Sequence, residues 1–329
     1  MRAWLLEASP GDYRLTNIDA PLPGPGDVRV RVLASALNHM DLWLTRALPK
    51  PALPHVPGCD GAGVVDAVGT DVTDVAVGDE VVLNPAVSCR RCRACLAGDS
   101  PYCRRFQILG EQRWGTHADL VVVPAANVSP KPPGRSWDEA AAFGLCTLTA
   151  WRMLRRARLA AGQTVLIVGI GGGVSSSALV LARAMGARVF ATSRDAAKRE
   201  RAVALGAEAA FDSGAAFPVR ADVVVENVGA ATWTRSLACL APGGRLVTCG
   251  GTAGSTVEIN LPRLFFKQHE VIGSTMGSYA EWDEVMAQIA GGLAVLVDAV
   301  VDGMEAYPDA LARLGEGRQL GKIVVRHDV

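Results

Sequence analysis

The sequence predicts an α/β protein in two parts, a compact, mostly β unit followed by a doubly wound parallel sheet. Three observations carry this. Residues 1 to about 127 are rich in Gly, Pro and Val, in short β-branched runs divided by Gly, Asp and Pro, the pattern of strands joined by tight turns. From Thr164 onward strands alternate with helices and the strands are apolar throughout, as expected of a parallel sheet covered on both faces. The length, 329 residues, suits two domains better than one.

In chain order, "PLPGPGDVRVRVLASALN", "GAGVVDAVGTDVTDVAVGDEVVL" and "GTHADLVVVP" supply the strands of the first part. "SWDEAAAFGLCTLTAWRML" then opens with a capping box, Ser136 at N-cap and Glu139 at N3, and runs on as an apolar helix. Strand "TVLIVGI" leads through glycines to helix "SSSALVLARAMGA", followed by strand "RVFATS", helix "DAAKRERAVALGA" and strand "DVVVENVG". "GGRLVTCGG" and "HEVIGST" add two more strands, and helix "YAEWDEVMAQIAGG" with the final strand "GKIVVR" rejoins the first part. The expected domains are 1–149, carrying a lobe at 88–104, then 150–275, then a C-terminal segment 276–329.

Half of the residues are apolar, a fifth are charged, and acids and bases balance at 33 each. A neutral chain is a poor partner for nucleic acid or an anionic membrane, which both call for a basic excess. Glu7 and Asp12 fall too early for the apolar core of a signal peptide. The uncharged stretch from Leu159 to Ala182 contains "GIGGGVSSS", so it reads as strand, turn and helix, not as a membrane span. Eight cysteines without an export signal point to a reducing compartment, the cytoplasm. Cys59, Cys146, Cys239 and Cys249 stand apart and are expected as buried small apolar residues.

Gly169, Gly171, Gly172 and Gly173 lie between a strand and a helix. Small residues there let a pyrophosphate approach the backbone, and the helix N-terminus offers N–H groups and partial positive charge. A glycine turn alone is a weak signal; the strand–turn–helix–strand frame makes it a dinucleotide site. Val174, Ser175, Asn227 and Gly250 complete the expected contacts. Ser175 stands where a further glycine often closes the motif, and its hydroxyl is a candidate phosphate ligand. An acid about 20 positions on would bind the ribose of NAD, but Ser193 stands there, followed by Arg194 and Lys198. A hydroxyl and two cations suit a 2′-phosphate, so NADP(H) is expected; the competing reading makes both cations ordinary surface charges. Asp195 falls past the strand end, in the first turn of the next helix.

Cys89, Cys92, Cys95 and Cys103 have the spacing C-x2-C-x2-C-x7-C. Four thiolates satisfy a tetrahedral zinc and leave no open position, so a structural ion follows. Arg90, Arg91, Arg93, Arg104 and Arg105 crowd the cluster and offset its charge. The last gap differs from that of bacterial iron–sulfur ferredoxins.

This arrangement, with "PGCDGAGVVDAVGTDVTDVAVGDEV" as its signature, resembles the zinc-type alcohol dehydrogenases of the medium-chain dehydrogenase/reductase superfamily over nearly the whole chain. The resemblance implies a GroES-like catalytic domain completed by the C-terminal segment, a six-stranded Rossmann domain, and a homodimer joined through the cofactor sheets. It also implies where a catalytic zinc would be held, by a Cys, a His and a second Cys. Those positions carry Asn38 in "NHMD", Cys59 in "GCD" and Leu145 ahead of "LTAW", while Asp60 replaces a glutamate. Cys146 is one residue late, and one helical residue turns a side chain by about 100°. The proton-relay positions hold Met40 and Trp43. Without Lewis acid or relay, alcohol oxidation lacks its means.

The N-x-x-D element and the "LTAW" helix resemble instead the zinc-independent quinone and enoyl reductases of that superfamily. The expected activity is hydride transfer from NADPH to a quinone or an α,β-unsaturated carbonyl. Asn38 is expected to orient or hydrogen-bond the substrate, and Asp41 to orient nearby polar groups. His39 stands where a basic residue often meets the cofactor pyrophosphate, or serves as a proton donor. Trp43 and Phe143 are expected as apolar pocket walls, and Glu226 near the cofactor. Two other readings stay open: an alcohol dehydrogenase with a metal site rebuilt on Cys59, Asp60 and Cys146, and a non-catalytic NADPH-binding protein.

Overall fold

The computed structural model describes residues 1–328. The chain divides into two compact units, Met1–Leu145 with Ser278–Gly291 and Val295–Val329, and Cys146–Gly277 with Gly292–Ala294.

The first unit is built on a seven-stranded sheet whose organising member is the ten-residue strand Asp27–Ala36. Its residues alternate between half-buried and buried over most of its length, the period of two that a one-sided sheet requires. The inward Val28, Val30 and Val32 join Val65, Val81, Leu83, Val121 and Val123 in one apolar core. Strand Asp60–Val68 runs antiparallel on one side, with Asp60 opposite Ala36. The C-terminal strand Lys322–Arg326 runs antiparallel on the other, with Val324 opposite Ala36. The end of the central strand is thus flanked by Asp60 and by the start of the last strand.

The second unit carries six parallel strands in the spatial order Ala209–Phe211, Arg188–Thr192, Thr164–Ile167, Ala221–Glu226, Leu240–Thr248, Glu270–Gly273. Numbered along the chain this is 3-2-1-4-5-6, the doubly wound order whose crevice opens where the order reverses. Thr164–Ile167 and Ala221–Glu226 border that reversal, so Gly169 and Asn227 follow the two strands at the crevice. Leu166, Val168, Val224, Trp233 and Leu246 are central to the packing behind it.

The uncharged stretch from Leu159 to Ala182 is the first of these strands, the turn, and most of helix Gly173–Ala184. Among the described residues no helix is long and apolar enough to cross a membrane. Two further expectations are corrected. Cys59, Cys146 and Cys239 are buried, but Cys249 is only half-buried. Phe143 is 1 % exposed and stacks on Trp282 with ring centroids 5.7 Å apart, so it is core and not a pocket wall.

Candidate active site and cofactor turn

At the cofactor turn Gly169 has φ 74° and Gly171 φ 145°, conformations that a side chain strongly disfavours. Gly172 is different: as N-cap of helix Gly173–Ala184 it has φ −73°. A Cβ there would meet nothing nearer than the Ser175 hydroxyl at 3.8 Å. What glycine provides at 172 is therefore open space before a helix N-terminus, a setting suited to an anion. Gly173 and Val174 form the first turn of that helix. Ser175 does something other than face a ligand: its buried hydroxyl donates within the turn, with Gly169 O at 3.0 Å and Gly172 O at 3.2 Å. It closes the loop where a glycine was expected to.

Across the crevice, a Cβ at Gly250 would approach the Asn227 carbonyl at 3.7 Å, so these two positions are neighbours. Glu226 is fully buried and does not face a cofactor. Its carboxylate accepts from Val228 N, Gly229 N and the Thr232 and Ser236 hydroxyls, which ties down the start of helix Ala230–Ala238.

The end of strand Arg188–Thr192 presents Ser193, buried, then Arg194, exposed, with Lys198 half-buried in the next helix. Asp195 is the N-cap of helix Ala196–Ala204 and accepts from Ala197 N and Lys198 N. It sits just before the first turn, and its carboxylate serves the helix. Arg199, which sequence reasoning passed over, donates to the carbonyls of Ser193 (2.8 Å) and Arg194 (3.1 Å) and pairs with Asp212. It sets the path of the segment expected to tell the two dinucleotides apart.

The ligand atoms of Cys89, Cys92, Cys95 and Cys103 all lie within 4.8 Å of one another. Among the described residues they are the only such group of three or more His, Cys, Asp or Glu side chains. The donor set fits a tetrahedral thiophilic ion. The Arg91 backbone N–H, then the Arg105 guanidinium, pull the Cys89 thiol down to about 5, favouring the thiolate that binds metal. Arg90 lies instead over the Tyr279 ring at 5.6 Å.

The remaining cluster grows from the central strand of the first unit. Asn38 follows that strand and caps helix His39–Leu44. Its backbone N–H donates to Asp41 Oδ2 at 2.8 Å, so Asp41 fixes how Asn38 leaves the strand. Because Val324 faces Ala36, two steps back along the last strand bring Lys322 level with Asn38 on the same face. Lys322 Nζ donates to Asn38 Oδ1 at 2.7 Å and to Asp60 Oδ2 at 2.8 Å. Asn38 Nδ2 donates to Asp60 Oδ2 at 2.9 Å and to Ala36 O at 3.3 Å. Asp60 Oδ1 accepts the Leu145 N–H at 2.6 Å, favourable for a carboxylate at a helix start. Gly144 permits that approach, since a Cβ there would lie 2.5 Å from Asp60 Oδ1.

Asn38 is therefore not an idle amide awaiting substrate: its oxygen and both donors are engaged within the protein. Burial, and after it the Lys322 cation, hold His39 below its ordinary pKa, so this half-buried imidazole is neutral near pH 7 and a poor cation for a pyrophosphate. Burial, then Asp41 and Asp60, push the Cys59 thiol well above its usual value. Beneath the cluster, the Ser35 hydroxyl bridges His117 Nδ1 (2.9 Å) and His327 Nε2 (2.8 Å). Burial depresses His327 to about 3, so it is neutral.

A family profile described as "Alcohol dehydrogenase GroES-like domain" matches residues 24–133, and one described as "Zinc-binding dehydrogenase" matches 173–291. A solved NAD-dependent alcohol dehydrogenase is 39% identical, with a TM-score of 0.93 and complete coverage of both chains. The quinone oxidoreductase of Pseudomonas aeruginosa is 32% identical over 84% of this chain and 81% of its own. This chain is a zinc-type alcohol dehydrogenase-like member of the medium-chain dehydrogenase/reductase superfamily. The acryloyl-coenzyme A reductase of Metallosphaera sedula, 28% identical over 99% of each chain, is a further relative.

The units are accordingly the GroES-like and Rossmann domains of an oxidoreductase. Seen in this superfamily, the three positions expected to grip a catalytic metal hold an amide spent on Lys322, a protonated buried thiol, and Leu145, a hydrocarbon. Lys322 is the residue that sequence reasoning missed. The sequence shows only a lone cation opening the strand "KIVVR"; that its first four residues are buried, so that the cation needs a partner, is visible only in the structure.

Proposed function

We propose that this chain is an NADPH-dependent reductase that delivers hydride to a quinone or an α,β-unsaturated carbonyl without a catalytic metal. One observation carries the reading: where metal ligands would converge, Asn38, Asp60 and Lys322 form a closed, buried hydrogen-bonded set. Asp60 is engaged by Lys322, which removes the carboxylate that a site rebuilt around Cys59 would need. The relatives named as a quinone oxidoreductase and an acryloyl-coenzyme A reductase support this class of acceptor.

Bound NADPH supplies the hydride. The chain binds and aims it: the turn at Gly169–Gly173 and the helix start at Val174 receive the diphosphate, Asn227 and Gly250 line the other side of the crevice, and Ser193, Arg194 and Lys198 receive the 2′-phosphate. The fit rests on the open volume at Gly172 and on the absence of an acid at Ser193. Replacing Ser193 with Asp together with Arg194 with Ala is expected to reverse the preference. NADPH affinity should fall by tenfold or more, about 1.4 kcal/mol per decade, while NADH affinity holds or rises. Equal weakening of both would show that the pair does not read the 2′-position.

The 39%-identical NAD-dependent alcohol dehydrogenase favours a second reading, alcohol oxidation with NAD. One experiment separates the two. NADPH and NADH consumption is followed against quinones and enones, beside NADP⁺ and NAD⁺ reduction by primary and secondary alcohols. Turnover confined to the alcohols would sink the reductase; cofactor binding with no turnover anywhere would leave a binding protein.

The four-cysteine lobe is proposed to hold one structural zinc. Cys92→Ser should release it and expose the lobe to proteolysis near residues 88–104, while reductase activity in intact protein falls much less than zinc content. Complete loss of activity in parallel with zinc would place the metal in the chemistry.

The chain is further proposed to act as a homodimer in the cytoplasm. The sheet edge Glu270–Gly273 has a neighbour on one side only, and Leu261, Phe265 and Phe266 beside it are at least 60 % exposed, an apolar patch suited to a partner. Val271→Lys with Phe266→Lys is expected to yield monomers by sedimentation; an unchanged mass would direct the interface elsewhere.

A further inference from the structure

The lobe that carries the four thiols is tied to its own unit by little backbone. Strands Ala86–Val87 and Gln107–Ile108 close it with a two-residue ladder, and the residues between them form no further strand. Just past the ladder stands Ser88, whose hydroxyl lies 3.3 Å from Cys95 Sγ. A metal-bound thiolate has no proton to give, so the hydroxyl is then the donor. The Arg105 backbone N–H reaches Cys103 Sγ at 3.3 Å in the same way. Donors behind a metal ligand fix its orientation and are worth about 10–100-fold in metal affinity.

What holds Ser88 comes from far along the chain. Its backbone N–H donates to the hydroxyl of Tyr279 at 3.4 Å, and Tyr279 opens helix Tyr279–Ala290 of the same unit. Asn127 settles where the phenolic proton points. Its amide nitrogen is spent on the carbonyls of Asn84 (2.8 Å) and Ala86 (2.9 Å), so its Oδ1 accepts from Tyr279 at 2.8 Å. The phenolic lone pairs are thereby left for Ser88. The ring is used as well. The Arg90 guanidinium over it helps to hold Arg90 at φ 55°, a left-handed conformation that side chains disfavour.

We propose that Tyr279 is a positioning residue of the four-cysteine metal centre, acting through Ser88, and that metal occupancy is linked to the docking of the first turn of helix Tyr279–Ala290. The inference rests on the reading of the lobe as a structural zinc site. Metal that orders Cys95 orders Ser88, and Ser88 holds the hydroxyl at the helix start. By linkage, the docked helix improves the metal site by the same factor. Further along, Trp282 Nε1 donates to the Ser129 hydroxyl at 2.9 Å and its ring stacks on Phe143. The helix therefore loosens at its start when the metal leaves and stays attached beyond it.

The test uses the intact zinc-loaded protein, Ser88→Ala, Tyr279→Phe and the two combined. Tyr279→Phe keeps the ring beneath Arg90 and removes only the hydroxyl. Zinc release to a chromogenic chelator should quicken about tenfold in each single variant. The combined variant should release no faster than the quicker of the two, because both break one chain of contacts. Single variants that release zinc at the unaltered rate, or effects that add in the combined variant, overturn the inference.

A cobalt spectrum separates positioning from general loosening. In Co²⁺-loaded protein, loss of the O–H···S contact in Ser88→Ala should move the thiolate-to-metal absorption to longer wavelength, and Tyr279→Phe should move it the same way by less. An unshifted band in both overturns the inference. Hydrogen exchange at the start of helix Tyr279–Ala290 should rise in the unaltered protein when metal is removed, and in Tyr279→Phe with metal still bound. Exchange indifferent to both changes overturns the inference while leaving the zinc reading intact; protein that is purified without zinc and takes up no cobalt at the lobe removes both.

Discussion

Gly172→Asp is expected to raise the dissociation constant for NADPH by about a hundredfold or more, close to 2.7 kcal/mol, without loss of folding stability. The two effects separate because of where the residue stands. Its backbone is at φ −73°, ψ 161°, ordinary for any residue, and a Cβ there is in normal contact at worst. Asp is among the best N-caps, so the helix gains a side-chain acceptor and a favourable charge at its positive end. Those same features exclude the ligand: the carboxylate fills the volume meant for a phosphate and repels it. Titration of NADPH by fluorescence, beside a thermal melt, reads both. A dissociation constant within about threefold of the unaltered protein, with the melt unchanged, would mean that the dinucleotide binds elsewhere.

Asp60→Ala is expected to cost about 3–5 kcal/mol, the penalty for leaving one member of a buried ion pair without its partner. In a chain of this size that corresponds to a melting midpoint lower by roughly 10 °C. Three donors lose their acceptor at once: Lys322 Nζ, Asn38 Nδ2 and Leu145 N. Adding Lys322→Met to Asp60→Ala should recover much of the loss, because the stranded ammonium is the larger part of the penalty. A double-mutant cycle on the melts measures the coupling. If the single and double variants melt together, the pair is worth no more than an exposed one.

Much of this molecule is legible in its sequence because much of it is local. The capping box of Ser136 and Glu139 forms as its spacing requires, and five of the six strands of the Rossmann sheet fall on runs named from the sequence; the short edge strand Ala209–Phe211 does not. The four cysteines converge because they lie within one short lobe. Legibility ends where a side chain's partner is set by lateral strand order. Nothing near Lys322 in the chain shows that it will face residue 38 instead of solvent; that follows from the last strand docking beside Asp27–Ala36. Ser35 with His117 and His327 is hidden for the same reason. The errors of assignment were of another kind. Ser175 and Glu226 are polar groups at a ligand crevice, and each is consumed by its own turn or helix end: the Ser175 hydroxyl donates to backbone carbonyls, and the Glu226 carboxylate accepts from backbone N–H groups.

The pairing of the last strand with the central one also governs synthesis. Asp60 waits 262 residues for its counter-ion, so a nascent chain carries a buried-to-be carboxylate with no cation until its final strand clears the ribosome. Translation that stops before Lys322 would release a chain whose Rossmann unit has every residue it needs, attached to a GroES-like unit lacking both the strand that joins Val297–Asp302 to its sheet and the cation that pairs with Asp60. Such a product would keep the dinucleotide fold while its GroES-like unit became a substrate for proteases.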